Sequence, residues 1–201
     1  MSISKAKKDL PRLAFFAPIW YDNAIEIKKG FVMSNVILIG MPSCGKSTVG
    51  VLLAKRLGFR FIDSDLLIQE QTGKLLHQII SEQGIDGFLQ IENEVNASIN
   101  VEHSVISTGG SVIYGEQAMR HLSSIGTVVY LKISYETLCE RLGDYVHRGV
   151  VLRDGCTLLD MYRERSALYE KYADVTVEQA EGAPLGDTLE KCLAALKQKE
   201  E

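Results

Sequence analysis

The strongest chemical signal in this chain is the run Gly40-Met41-Pro42-Ser43-Cys44-Gly45-Lys46-Ser47-Thr48. It fits G-x-x-x-x-G-K-[ST], a turn that wraps successive backbone N–H groups around an anion. Gly40 and Gly45 supply backbone freedom that other residues lack. Lys46 is placed to reach the β- and γ-phosphates of a nucleotide, and the Ser47 hydroxyl to ligate Mg²⁺. Ser43, Cys44 and Thr48 complete the loop. Such a turn works only between a strand and a helix, and both are written beside it. Asn35 to Ile39 is an apolar, β-branched run that reads as a buried strand, and Ser47 to Leu57 carries apolar residues at helical spacing. Phosphates would therefore sit at a helix N-terminus.

The rest of the chain supplies elements able to hold that loop. Gly58 closes the first helix. Phe59 to Ile62 reads as a second strand, ending in Asp63-Ser64-Asp65, and Leu66 to Gln71 as a helical turn stopped by Gly73. Helices are expected over Leu75 to Gln83, Phe88 to Ile99, Gly115 to Ser123, Tyr135 to Leu142, Leu158 to Tyr172 and Leu185 to Lys197. Strands are expected over Ser104 to Ser107, Thr127 to Ile133 and Asp174 to Val177. Strands alternating with helices imply a parallel sheet covered on both faces. Gly143 to Gly155 is rich in glycine and charge and reads as a mobile lid. Residues 34–201 read as one domain. Residues 1–33 read as an extension outside it, with translation expected to start at Met33, because Met33-Ser34-Asn35 runs straight into the first strand.

Composition narrows the function classes. The chain has 201 residues, 46% of them hydrophobic, which suits one globular domain. A net charge of −4 argues against a general nucleic-acid binder. The cysteines Cys44, Cys139, Cys156 and Cys192 are scattered without a C-x-x-C pair, so neither a zinc site nor a disulfide framework is indicated and a reducing cytoplasm is expected. No apolar run is long enough to span a bilayer. The Asn-Lys-x-Asp segment of guanine readers is missing. His77, His103, His121 and His147 show no ligand spacing.

With these motifs in order, the chain resembles the shikimate kinases, a branch of the nucleoside-monophosphate-kinase-like P-loop fold, from about Asn35 to the C-terminus. The resemblance rests on the P-loop, Asp63-Ser64-Asp65, Gly84-Ile85-Asp86-Gly87-Phe88 leading to Glu92, Ser107-Thr108-Gly109-Gly110, Arg141, Arg148, Arg165-Ser166-Ala167-Leu168-Tyr169 and Ala173-Asp174-Val175-Thr176-Val177. It implies a three-layer α/β fold, a five-stranded parallel sheet with helices on both faces and a mobile lid. It also implies ATP and Mg²⁺ as cofactors and a small hydroxy acid as partner; a monomer is expected. By the same resemblance, Asp63 with Ser47 would hold Mg²⁺, Asp65 would orient the acceptor hydroxyl and take its proton, and Lys46 and Arg148 would neutralise the transferring phosphoryl group. Gly109 and Gly110 would admit the acceptor, Arg165 would grip its carboxylate, and Arg141 would stack on adenine. Blander readings of the same residues stand alongside: a polar turn with a helix cap at Asp63 to Asp65, a tight turn at Gly109-Gly110, a solvated Arg148, an Arg165 paired on its own helix, and an Arg141 that is a helix-end cation.

The chain departs from the family pattern at the acceptor. Phe-Arg-x-x-Glu is Phe88-Leu89-Gln90-Ile91-Glu92 here, so the arginine expected at the substrate is Leu89. A three-glycine turn is Gly109-Gly110-Ser111, and the lid's Arg-Pro is Arg148-Gly149. Glu92 keeps a carboxylate without its neighbouring cation, and a buried carboxylate needs a partner or a proton. A substrate ammonium would be one such partner. The expectation is therefore an ATP-dependent small-molecule kinase whose acceptor leans to an amino acid such as homoserine, with shikimate as the alternative. A nucleotide-binding regulator without turnover is the reading from a different class.

Overall fold

The computed structural model describes residues 35–142 and 155–199. Five parallel strands form its centre: β1 (Asn35–Ile39), β2 (Arg60–Asp63), β3 (Ser104–Ser107), β4 (Thr127–Lys132) and β5 (Val175–Glu178), in the order β2-β3-β1-β4-β5. All five residues of β1 and all four of β3 are buried, as continuous apolar runs in a sheet covered on both faces should be. Register is fixed by pairs such as Ile37 with Ile106 and Ile37 with Val128. At the start of β1, the Asn35 side chain donates to Val101 O and Ile125 O at 2.8 and 2.9 Å and accepts from Ser104 N at 3.0 Å, tying three segments together.

Seven helices surround the sheet among the described residues: α1 (Lys46–Leu57), α2 (Ser64–Thr72), α3 (Leu76–Ala97), α4 (Glu116–Ile125), α5 (Tyr135–Leu142), α6 (Leu158–Tyr172) and α7 (Leu185–Gln198). Two expected helices prove to be halves of α3, broken at Gly84, whose φ of 72° and ψ of 179° lie outside helical values. The second half carries Phe88 and Glu92. α2 begins two residues before its expected start, because Asp63 Oδ1 accepts from Asp65 N at 3.0 Å and caps the helix directly at the strand end. A single 3-10 turn, Val112–Tyr114, was not foreseen. Among the described residues, no helix is long and apolar enough to cross a membrane.

Strand order reverses around β1 and β3, since the chain passes from β1 outward to β2, back to β3, and then across to β4. Ligands of open α/β sheets bind beyond the carboxyl ends of strands at such a switch. Gly40 follows β1 and Thr108-Gly109-Gly110 follows β3. Thr108 seals the junction, its N–H and hydroxyl both donating to Leu38 O at 3.2 and 2.9 Å.

Candidate active site

A cavity of about 310 Å³ opens at this switch, lined by the loop residues Pro42, Ser43 and Gly45 to Thr48, and by Asp65, Leu76, Phe88, Glu92, Thr108 to Ser111 and Arg165. Its loop end is built on backbone. Gly40 has φ +146°, and a methyl group there would meet Leu131 O at 2.7 Å. Gly45, left-handed at φ 93°, precedes α1 without any side-chain cap, and the first turn carries no acid. The opening N–H groups of α1 are thus left to an anion, which is the fit expected for a triphosphate. Lys46 is buried, its Nζ donating to Gly40 O at 2.8 Å and Met41 O at 2.9 Å, so the ammonium sits inside the loop. Cys44 is buried, and its carbonyl accepts from Gln179 Nε2 at 2.8 Å.

Next to the loop, Ser47 Oγ donates to Asp63 Oδ2 at 2.7 Å and lies 3.2 Å from Ser107 Oγ. Among the described residues no group of three or more His, Cys, Asp or Glu is gathered for a metal. A hydroxyl beside one carboxylate suits Mg²⁺, which keeps water and phosphate oxygens for most of its coordination sphere.

The far end depends on side chains. Asp65 is tied through its N–H to Asp63, and its Oδ1 is buried without a hydrogen-bond partner. Burial, then the neighbouring Asp63 charge, raises its pKa above the ordinary value, against the pull of Lys46. Glu92, 1% exposed on α3, reaches the same place. A methyl group on Gly109 would lie 2.1 Å from Glu92 Oε1 and 3.0 Å from Asp65 Oδ1, so only glycine leaves room for both. Burial pushes the Glu92 carboxyl up to about 7, with Asp65 adding to the rise and Ser111, Arg165 and Lys46 opposing it. Arg165 is 1% exposed, its Nε donating to Tyr114 Oη at 3.4 Å and its guanidinium lying 5.4 Å from that ring's centroid. Tyr169 Oη donates to Gly110 O and fixes the turn that Arg165 faces.

The shikimate kinase family model matches residues 42–197. The chain belongs to the shikimate kinase family. It is 36% identical over 157 residues to the shikimate kinase of Thiobacillus denitrificans, covering 77% of this chain and 86% of that one. With the shikimate kinase of Francisella tularensis subsp. novicida it shares 39% identity over 148 residues, 72% and 84% of the two chains. Two solved shikimate kinases have its fold at 31% identity. The one from Acinetobacter baumannii, in complex with shikimate, has a TM-score of 0.74 over 83% of this chain and 94% of that chain. The one from Aquifex aeolicus has a TM-score of 0.70 over 83% and 98%. ATP with Mg²⁺ is the cofactor pair of this family, and the chain is a small-molecule kinase that phosphorylates a hydroxyl. The alternative of a nucleotide-binding regulator without turnover loses its ground. The homoserine lean gains no support either, since the named relatives are shikimate kinases.

Against the expected shikimate kinase site, the cavity gathers Ser43, Gly45, Lys46, Ser47, Thr48, Asp65, Glu92, Gly109, Gly110 and Arg165. Leu89 is not among its lining residues. It packs instead with Ile68, Ile79, Phe88 and Val95, as an apolar side chain beside an apolar cluster must. Arg141 lies in the last turn of α5 and donates to Gln179 Oε1 at 3.2 Å. Arg148, the lid and residues 1–33 lie outside the described residues. Gln179, Ser111 and Tyr114 were assigned no role from sequence. Of these, only Ser111 had a signal, as the residue standing where a third glycine was expected.

Proposed function

We propose that this enzyme transfers the terminal phosphoryl group of ATP to a hydroxyl of shikimate. The observation that carries the reading is a single cavity shared by Lys46, Asp65 and Arg165. Contacts order it: Lys46 within the loop, Asp65 linked through Asp63 to Ser47, and Arg165 beyond Gly110. A phosphoryl donor at one end and a carboxylate-bearing acceptor at the other then meet at Asp65. The name shared by the relatives supports shikimate as that acceptor.

Arg165 would grip the acceptor carboxylate, a match of guanidinium fork to carboxylate geometry. Asp65 would hold the reacting hydroxyl. As the new oxygen–phosphorus bond forms, the bond to the bridging oxygen of the diphosphate breaks, and the hydroxyl proton passes to Asp65. Its raised pKa suits it to keep that proton. Lys46 stabilises charge on the phosphoryl oxygens, with Arg148 of the lid as its partner in the same role. Ser47 and Asp63 would hold Mg²⁺, and Arg141 would meet the adenine. The same proposal takes the enzyme to be a cytoplasmic monomer, its oligomeric state to be checked by light scattering after size exclusion.

The deciding experiment incubates the purified chain with ATP and Mg²⁺ and follows ADP release with shikimate and homoserine in parallel. Shikimate-dependent release is expected. Release with homoserine alone would replace the acceptor while leaving the kinase in place.

A further inference from the structure

Among the described residues, Glu92 is the one pocket carboxyl that the proposed reaction leaves without a task, and its surroundings are unusual. Its helix, α3, contains neither lysine nor arginine along Leu76–Ala97. The charged and titratable groups facing it come from other elements: Lys46 on α1, Asp65 on α2, and Arg165 and Tyr169 on α6. Lys46 is held inside the phosphate loop by two carbonyls. Ser111 favours the charged form of the carboxyl, yet Glu92 Oε1 is buried with no hydrogen-bond partner. Beside Gly109 it converges with Asp65 Oδ1, which is also buried without a partner. Two ionised carboxylates present only acceptors to this space. Ionised side by side they repel, and neither oxygen has the donor that burial demands.

We propose that Glu92 holds the acceptor as a neutral carboxylic acid, its O–H donating to a hydroxyl next to the one that Asp65 takes. The inference rests on the shikimate reading, because it needs an acceptor with a second hydroxyl beside the reacting one. A proton on Glu92 turns an orphan acceptor into a donor and leaves Asp65 as the single base. It also gives a hydrogen-bond donor to a helix that carries no lysine or arginine. Burial already favours the neutral form, and acceptor binding strengthens the preference. A carboxylate landing on Arg165 cancels the positive charge that opposes protonation of Glu92. Acceptor binding and proton uptake by Glu92 are therefore linked, and phosphate on Lys46 acts in the same direction but more weakly, because Lys46 opposes the proton less than Arg165 does.

The test measures KM for shikimate and for ATP from about pH 6 to 9 in the wild type, Glu92→Gln and Glu92→Leu, with proton uptake on shikimate binding followed by calorimetry in two buffers of different ionisation heat. Above neutral pH the wild-type shikimate KM should rise by up to about tenfold per pH unit, as expected when only the protonated fraction binds, while the ATP KM changes far less. Proton uptake should accompany shikimate binding. Glu92→Gln, which keeps an N–H donor, should abolish both the slope and the uptake, and Glu92→Leu should raise the shikimate KM at every pH. If either variant fails to fold, the wild-type profile and uptake decide alone. Shikimate turnover with a level acceptor KM and no proton uptake overturns this inference and leaves the acceptor assignment standing. Absence of shikimate turnover at every pH, or turnover of homoserine in its place, overturns both, since an ammonium group would require Glu92 ionised.

Discussion

The two ends of the cavity are built by different means. The phosphate end is made of backbone: two glycines, the opening N–H groups of α1 and a lysine locked onto two carbonyls. The acceptor end is made of buried side chains whose charges are set by one another: Asp65, Glu92 and Arg165 around Gly109 and Gly110. A backbone site binds whatever carries phosphate and tolerates little change. A side-chain site can be retuned one residue at a time, as Leu89 and Ser111 illustrate, without disturbing the sheet beneath it.

The comparison breaks most sharply at Lys46. Replacing it with methionine removes the sole ammonium in the loop, a preorganised charge aimed at the transferring group. We expect kcat to fall by about 10²- to 10³-fold, the range for losing one such donor. Thermal unfolding should change far less than the rate. A variant that retained near-normal kcat would mean that the loop's N–H groups suffice, and the division of labour between the two ends would need redrawing.

At the acceptor end, pH should act on the fold itself. The carboxyl of Glu92 is raised from 4.5 to about 7 by burial. The native state thus holds a proton that the unfolded chain releases, so the contribution of Glu92 is fully present below about pH 4.5 and is lost as pH rises toward 7. The loss amounts to roughly 3 kcal/mol. Urea unfolding across that window should show wild-type stability falling relative to Glu92→Gln, which has no proton to lose. Parallel curves for the two proteins would show that the carboxylate has a partner in solution.

Gly109 sharpens the contrast from the steric side. In Gly109→Ala the new methyl group would press into Glu92 Oε1 and Asp65 Oδ1. Overpacking of this kind costs about 1–3 kcal/mol. Because the displaced groups serve the acceptor, the KM for shikimate should rise well beyond the KM for ATP. Equal changes in both would place the strain in the fold rather than in the pocket.

What could be read in the chain follows the same division. The P-loop was legible because its geometry is encoded locally, by glycines and a lysine at fixed spacing between a strand and a helix. Asp65 and Arg165 were legible as a pair only through the family pattern, since 100 positions separate them. The start of α2 was missed because Asp63 both meets Ser47 and caps the helix, and nothing in its spacing announces two tasks. Leu89 was placed at the substrate by position, yet its hydrophobicity carries it into the cluster with Ile68 and Ile79. Tyr114 was invisible because a 3-10 turn, too short to show periodicity, presents it to Arg165.

Gln179 gives the mildest test and the one farthest from any motif. It follows β5 directly, donates to Cys44 O across a separation of 135 residues, and accepts from Arg141 at 3.2 Å. One amide thus braces the phosphate loop and orients the arginine expected at the adenine. Gln179→Ala should remove both bonds, each worth about 0.5–1.5 kcal/mol, and a few-fold rise in the KM for ATP should follow. The shikimate KM should hardly move, because neither bond touches the acceptor end. Gln179→Glu keeps the acceptor for Arg141 and removes the donor to Cys44. Recovery of the ATP KM in that variant would assign the effect to the arginine, and failure to recover would assign it to the loop.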